Sequence, residues 1–244
     1  MAGMSFLVDT SRCTACRGCQ IACKNWNQNG ASMTKNLGTH QNPPDLDGNT
    51  FKLVRFSEHL KDGKPVWYFF ADQCRHCLEP PCKDAIQGYV DGGVIHDEET
   101  GAVVYTAKTK GVPVDEVRAS CPYDIPRAKD DGTLVKCTMC IDRVKNGLKP
   151  ACVKVCPTGA MNFGTRDEMM ALAQERLAAL KGKFPKAQLL DPDDVRTLYL
   201  VTDDPALYHP YAVAGVRPGI SRKLALRRLF FAPARNVAKG LRLG

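Results

Sequence analysis

The segment SRCTACRGCQIACK, residues 11–24, places thiols at Cys13, Cys16, Cys19 and Cys23, and the chain carries twelve cysteines in all. The others are also grouped: Cys74, Cys77 and Cys82; Cys121 alone before Pro122; then Cys137, Cys140, Cys152 and Cys156, the last before Pro157. Thiols at such intervals can pair as disulfides, hold a structural metal ion or ligate an iron–sulfur cluster. At 244 residues the chain buries enough surface to fold without staples. Its start, MAGMSFLVDTSRC, runs straight into the first group with no apolar core of a secretory signal. A secreted disulfide framework is therefore disfavoured. Zinc is the stronger rival, because Cys137-x2-Cys140 followed by Cys152-x3-Cys156 has tetrahedral spacing. Zinc sites, however, take two pairs, whereas the first group is an unbroken run of four.

The spacing C-x2-C-x2-C-x3-C is the bacterial two-cluster ferredoxin run, in which three thiolates hold one 4Fe–4S cluster and the fourth crosses to another. If Cys23 crosses, its cluster needs three more thiolates and the first cluster needs one. The last group supplies both. Cys13, Cys16, Cys19 and Cys156 make one site, and Cys23, Cys137, Cys140 and Cys152 make a second. The middle of the chain repeats the pattern with losses: Ile86 stands where a fourth thiol would follow Cys82, and counting back from Cys121-Pro122 reaches Gly111, Val114 and Val117. The four absent ligands would have formed one crossed site. The four present, Cys74, Cys77, Cys82 and Cys121, form the third, so twelve thiols resolve into three sites with none left over.

This layout resembles the four-cluster iron–sulfur subunits of the dimethyl sulfoxide reductase (molybdopterin oxidoreductase) superfamily, with one cluster missing. RCTACRGCQIACK, HQNPPDL, QCRHCLEPPCK, SCPYDIPR and NGLKPACVKVCPTGAMNFG are more closely similar to the beta subunits of soluble tungsten or molybdenum formate dehydrogenases, over roughly residues 5–205. The resemblance implies an electron-transfer subunit without a substrate site. Its partner would be a catalytic subunit holding a Mo or W bis-pterin cofactor in a heterodimer, and its acceptor a soluble protein such as a multihaem c-type cytochrome. It further implies a periplasmic location reached on the partner's twin-arginine signal, with the cytoplasm as the alternative. Other readings are the iron–sulfur subunit of a different molybdopterin oxidoreductase and a zinc-stabilised binding module.

The elements that must position these thiols form an α+β protein of two ferredoxin-like units, one inserted in the other. Residues 1–49 with 130–165 make the two-cluster unit, 50–129 the inserted one-cluster unit, 166–204 a helix and strand packed on the core, and 205–244 a basic tail that straps a partner. Runs 50–56, 65–70 and 196–201 read as strands, and 93–106 as a hairpin turning near Glu99-Thr100-Gly101. Thr165-x-x-Glu168 is a capping box before a helix whose Met169, Leu172, Ala173, Leu177 and Leu180 share a face suited to core packing. Backbone N–H groups in the short loops around the thiols are expected to point at sulfur.

The formal charge of +8 falls to about +2 once three clusters with their thiolates, near −2 each, are included. Beyond Asp204 lie Arg217, Arg222, Lys223, Arg227, Arg228, Arg235, Lys239 and Arg242 with no acid. LALRRLFF lacks the interleaved aromatics of a single-strand nucleic-acid groove, so nucleic acid is not the expected partner. No Gly-rich phosphate loop, nucleophile elbow or apolar run of about 20 residues occurs, and no transmembrane segment is expected. Arg12, Arg17, Arg75, His76, Lys83, Lys136 and Lys154 sit beside the thiols; each reads first as a solvated residue and second as a tuner of cluster potential. His76 is not expected to ligate. The Cys74/Cys77/Cys82/Cys121 site is expected to be the terminal one of the relay, with Asp91, Asp97, Glu98 and Glu99 nearby to dock a basic cytochrome.

Overall fold

Residues Met4–Asp9 (β1) are a short apolar run with polar ends, and five of the six are buried. The computed structural model describes residues 3–32 and 34–215. After β1 come α1 (Gly18–Trp26), β2 (Leu53–Lys61), β3 (Lys64–Asp72), α2 (Pro81–Gln87), β4 (Val94–His96), β5 (Val103–Tyr105) and α3 (Val114–Ser120). Then follow β6 (Arg127–Ala128), β7 (Leu134–Val135), α4 (Ile141–Lys145), α5 (Ala151–Lys154), β8 (Met161–Thr165), α6 (Arg166–Lys181), β9 (Gln188–Leu190) and β10 (Thr197–Val201). The architecture is mixed α and β, with short helices and four separate sheets.

The largest sheet has the order β8-β1-β10-β9. β1 lies parallel to β10, Phe6 opposite Thr197 and Val8 opposite Tyr199, and antiparallel to β8, Val8 opposite Met161. Residues from the start of the chain, from just past the last cysteine and from the end of the described chain therefore share one ladder. β1 carries no clean alternation because both its faces are covered, and such a strand shows only as a short apolar run. Neither β1 nor β8 is foreseen from sequence; their hydrogen-bond partners are distant in the chain.

The runs expected at 50–56 and 65–70 become one hairpin of two nine-residue strands, Leu53 opposite Asp72 and Lys61 opposite Lys64. Its turn is Asp62-Gly63 with φ of +52° and +72°, the left-handed pair that a two-residue turn requires. The inner half, with Val54, Tyr68, Phe70 and Ala71, enters the same core as Phe6, Val8 and Tyr199, although it opens the 50–129 segment. The outer half is polar and Leu60 at its end is exposed. The expected hairpin at 93–106 is β4–β5, where Asp97 accepts from the N–H and hydroxyl of Thr100. Gly101 follows at φ +74°, and a Cβ there would collide with the Arg196 side chain.

On α6 the Thr165 side chain caps the Glu168 N–H, and the Glu168 carboxylate accepts from the Thr165 N–H. Met169 and Ala173 are buried, and Leu172, Leu177 and Leu180 pack beside them against Leu7, Leu198 and Leu200, so this face is core, as expected. The basic residues 217–242 lie outside the described residues.

Candidate metal centres

Three C-x-x-C loops, those opening at Cys13, Cys74 and Cys137, repeat one backbone device. The residue before the second cysteine, Ala15, His76 or Met139, has left-handed φ of 54°, 47° and 61°. For residues other than glycine this conformation costs about 1–3 kcal/mol and persists only where surroundings enforce it. It turns the N–H toward the first thiol: His76 N lies 3.3 Å from Cys74 Sγ and Met139 N lies 3.4 Å from Cys137 Sγ, and the Ala15 N–H does the same at Cys13. Elsewhere Cys156 accepts from the Met161 N–H at 3.4 Å, Cys121 from the N–H groups of Ile125 and Tyr123, and Cys23 from Asn27 Nδ2 at 3.6 Å. Sulfur that accepts several N–H bonds is sulfur prepared to carry negative charge.

The helices place the remaining thiols. α1 and α5 pack together, with Cys19 and Cys23 on one, Cys152 on the other and Cys156 just past its end. Gly18 lies at this contact, where a Cβ would sit at ordinary packing distance, 3.6 Å from Cys16 Sγ and 3.8 Å from Val155. α2 and α3 pack likewise, with Cys82 on one and Cys121 just past the other.

All twelve cysteines are free, and their electrostatic neighbours sort them. Cys13 faces Cys19 and Cys156, and Cys19 faces Cys16 and Cys156. Cys23 faces Cys137, Cys140 and Cys152; Cys77 faces Cys74, Cys82 and Cys121. Cys137 in turn faces Cys74 as well as Cys140, so neighbouring groups lie close to one another. Two contacts join the sets: Cys19 and Cys152 share one core, and Cys74, Cys121 and Cys137 share the other. The sets therefore stand in a row, with Cys23/Cys137/Cys140/Cys152 in the middle.

The row differs in exposure from end to end. Cys16 is exposed and Cys13 and Cys156 are half-buried, whereas the middle four are all buried. At the far end Cys74, Cys82 and Cys121 are buried and Cys77 half-buried around a cavity whose wall also includes Pro80, Pro122, Tyr105, Tyr123, Arg75 and Lys136. Burial pushes the Cys121 and Cys137 thiols up to about 12 and raises Cys23 well above the ordinary thiol range, with neighbouring sulfurs adding to the effect. Cys156 is instead held below the ordinary thiol range: burial pushes it up, but the Met161 N–H and Thr158 outweigh it. Buried thiols of this kind are protonated at neutral pH until a metal displaces the proton.

The donor set fits iron–sulfur clusters: four thiols per group, N–H groups aimed at sulfur, and a cavity with all four thiols of one group in its wall. Among the described residues no three His, Cys, Asp or Glu side chains converge on a site for one metal ion. Zinc requires such convergence, with each sulfur about 2.3 Å from a common centre.

Three of the four positions without thiols are filled. Ile86 and Val117 are fully buried in a core with Val94, Val103, Val112 and Leu134, and Val114 packs beside them; Gly111 is exposed, in a turn at φ +83°. Gly93 allows the close packing, since a Cβ there would lie 2.6 Å from Ile86.

Of the basic residues beside the thiols, Arg12 and Lys154 are exposed, and Arg17 and Lys83 half-buried, Arg17 donating to the His40 carbonyl. Arg75 and Lys136 are instead buried, which corrects the expectation of solvated side chains. Arg75 pairs with Asp72 at 3.1 Å and lies over Tyr199, Tyr123 and Phe70, so its guanidinium is enclosed by aromatic faces. His76 is fully buried, accepts from the Val103 N–H through Nδ1, and is held well below the ordinary imidazole range by burial, then by Lys136 and Arg196. It is a neutral side chain whose Nδ1 already has a hydrogen-bond donor. Lys52, buried and not foreseen, is one of two basic residues inside TFKLVRF, the other being Arg55; its one local signal was that interruption of an apolar run. Among the acids, Asp97 is paired to Lys145, while Asp91, Glu98 and Glu99 are exposed.

Residues 65–166 match the family described as 4Fe-4S dicluster domain. The chain is 54% identical over 211 residues to formate dehydrogenase subunit beta of Megalodesulfovibrio gigas, covering 86% of this chain and 98% of that one. It is 52% identical to formate dehydrogenase 2 subunit beta (cytochrome c-553) of Nitratidesulfovibrio vulgaris, covering 85% and 97%. The nitrate-inducible formate dehydrogenase iron–sulfur subunit of Escherichia coli is 38% identical, covering 85% of this chain and 72% of that one.

Proposed function

The chain belongs to the iron–sulfur (beta) subunits of the formate dehydrogenases, and from that premise we propose that it relays electrons between a catalytic partner and an external acceptor through three 4Fe–4S clusters. The carrying observation is the row of three four-thiol groups, joined through Cys19 with Cys152 and through Cys137 with Cys74. Clusters bound there supply one-electron steps at potentials spanning roughly −700 to +450 mV across known sites. The protein's part is to hold the thiolates, aim N–H groups at them and keep the middle group dry. Cys13, Cys16, Cys19 and Cys156 hold the first cluster, Cys23, Cys137, Cys140 and Cys152 the second, and Cys74, Cys77, Cys82 and Cys121 the third.

The partner is a subunit carrying a Mo or W bis-pterin cofactor, where formate is oxidised or carbon dioxide reduced. It meets the first group, whose Cys16 is exposed. The third group is terminal and gives electrons to a c-type cytochrome, a reading supported by the printed name of the Nitratidesulfovibrio relative. No described helix is long and apolar enough to cross a membrane. Two ferredoxin-like units, one inserted in the other, are the proposed origin of the doubled helix pairs, and the periplasm is the proposed compartment.

Anaerobic iron, acid-labile sulfide and zinc analysis of the purified complex tests the reading. About twelve iron and twelve sulfide per chain are expected from three four-iron clusters; zinc in their place would overturn it. Cys121→Ser should then slow reduction of the external acceptor more than formate-dependent reduction of the clusters nearer the partner. Equal loss of both would remove the third group from the end of the row.

A further inference from the structure

Two lysines in the interior have no acid beside them. Lys52 is 1% exposed, and its Nζ donates to the Ala71 carbonyl at 3.2 Å and to Gln73 Oε1 at 2.6 Å. Lys136 is 4% exposed; its Nζ donates to the Val103 carbonyl and to the Cys137 carbonyl, and lies 4.8 Å from the centre of the Tyr105 ring. Neither makes an ion pair with a carboxylate among the described residues, in contrast to buried Arg55 and Arg75, which share Asp72. A buried ammonium without a counter-charge is strongly unfavourable, so an interior that retains two must provide negative charge of another kind.

The positions of the two lysines identify that charge. Lys136 is the chain neighbour of Cys137, in the middle group, and forms part of the wall of the cavity bounded by Cys74, Cys77, Cys82 and Cys121. It stands at the junction of the second and third groups. Lys52 stands at the other junction. The N–H of Val54, two residues on, donates to Gln20 Oε1 next to Cys19, and the sulfurs acting on Lys52 are Cys19 of the first group and Cys152 and Cys137 of the second. Among the described residues each Nζ has two oxygen acceptors and no carboxylate, so its charge faces sulfur.

We propose that Lys52 and Lys136 are positioning residues for the relay, one fixed cation at each junction between neighbouring cysteine groups, that raise the potentials of the two clusters each one faces. A cation favours the more negative, reduced form of a nearby cluster, and does so most where water is excluded. Placing it between two groups shifts both together, so the step from one to the next is disturbed less than by a charge on one side. The inference rests on the three-cluster reading above.

The test is an EPR-monitored redox titration of the full complex carrying Lys52→Met or Lys136→Met, with iron and sulfide measured on the same samples. Each variant should lower two of three midpoint potentials and leave one in place. The potential lowered in both variants is that of the middle cluster, and the unmoved one differs between them. Lys52→Arg and Lys136→Arg, which keep the charge, should restore the native values. Full iron with no shift, a uniform shift of all three, or the same unmoved cluster in both variants would overturn the proposal. Iron well below about twelve in the unsubstituted complex would instead remove the three-cluster reading itself. If a Met variant fails to assemble, the Gln variant, which can still donate to the same carbonyls without charge, carries the same criteria.

Discussion

α1 and α5 carry Cys19, Cys23 and Cys152, with Cys156 just beyond; α2 and α3 carry, at the same spacing, Cys82, Ile86 and Val117, with Cys121 just beyond. Both pairs pack as helix against helix, but their interiors differ. Between the first two helices lie buried thiols with Lys52 among them; between the second two, half of the interior is a cavity walled by thiols and half is an aliphatic core. Loss of four ligands is accompanied by apolar filling rather than by an open void, because protein interiors are packed to crystal-like density. The two halves meet at Lys136, whose Nζ donates to the carbonyl of Val103 in the aliphatic core and which also stands in the wall of the cavity.

The comparison breaks most visibly if a thiol of the first pair is removed. Cys23→Ala should lose about four of about twelve irons, read by iron and sulfide analysis, since its counterpart Ile86 shows what that position looks like without a ligand. Retention of all the iron would mean that the middle group does not need Cys23. Next in size, Ile86→Ala should destabilise the protein by about 2–5 kcal/mol in chemical denaturation, with the iron content unchanged, because it opens a cavity in a fully buried core. Iron loss from this variant would show that the filled half supports the neighbouring cluster rather than merely replacing one.

A sharper form restores the thiols. Ile86→Cys, Gly111→Cys, Val114→Cys and Val117→Cys together should leave the iron count at about twelve, since Val94, Val103, Val112 and Leu134 still occupy the space. A rise to about sixteen would mean that ligand identity alone separates the two halves. The smallest effect is at the seam between the two helix-pair regions, where Lys145, at the end of α4, donates to Asp97 in the β4–β5 turn. That bond, with the Thr100 N–H and hydroxyl, lowers the Asp97 carboxyl to about 2 despite some desolvation. A carboxylate lowered on folding adds stability above its unfolded value near 3.9 and loses it as pH falls through the folded value. Asp97→Asn should therefore lower the denaturant midpoint slightly at pH 7, and the difference from the native protein should close between about pH 4 and pH 2. A difference that persists at pH 2 would assign the effect to packing of the turn.

Much of the site is legible from spacing because ligands on one loop or helix turn are a local property: C-x-x-C closes a loop, and x3 on a helix returns a side chain to the same face. The proposed crossing of Cys23 and Cys156 between groups comes from counting; in the structure Cys23 faces Cys137, Cys140 and Cys152, and Cys156 faces Cys13. The capping box at Thr165 and the β4–β5 turn are equally local. β1 and β8 were not legible, since a strand covered on both faces has no alternation and its partners are remote in sequence. Lys52 was not legible for the same reason: its meaning depends on Gln20, Cys19 and Cys152, which only folding brings near it.

The sequence by itself determined the inventory: twelve thiols, the spacing from which three sets of four are proposed, and the places where Ile86, Gly111, Val114 and Val117 stand instead of thiols. Only the tertiary structure decided the order of the sets in a row, the dryness of the middle one, and the fate of each basic residue beside them. Spacing acts through bonds along the chain, whereas order, burial and charge act through space, and a lysine in water and a lysine among sulfurs are spelled alike.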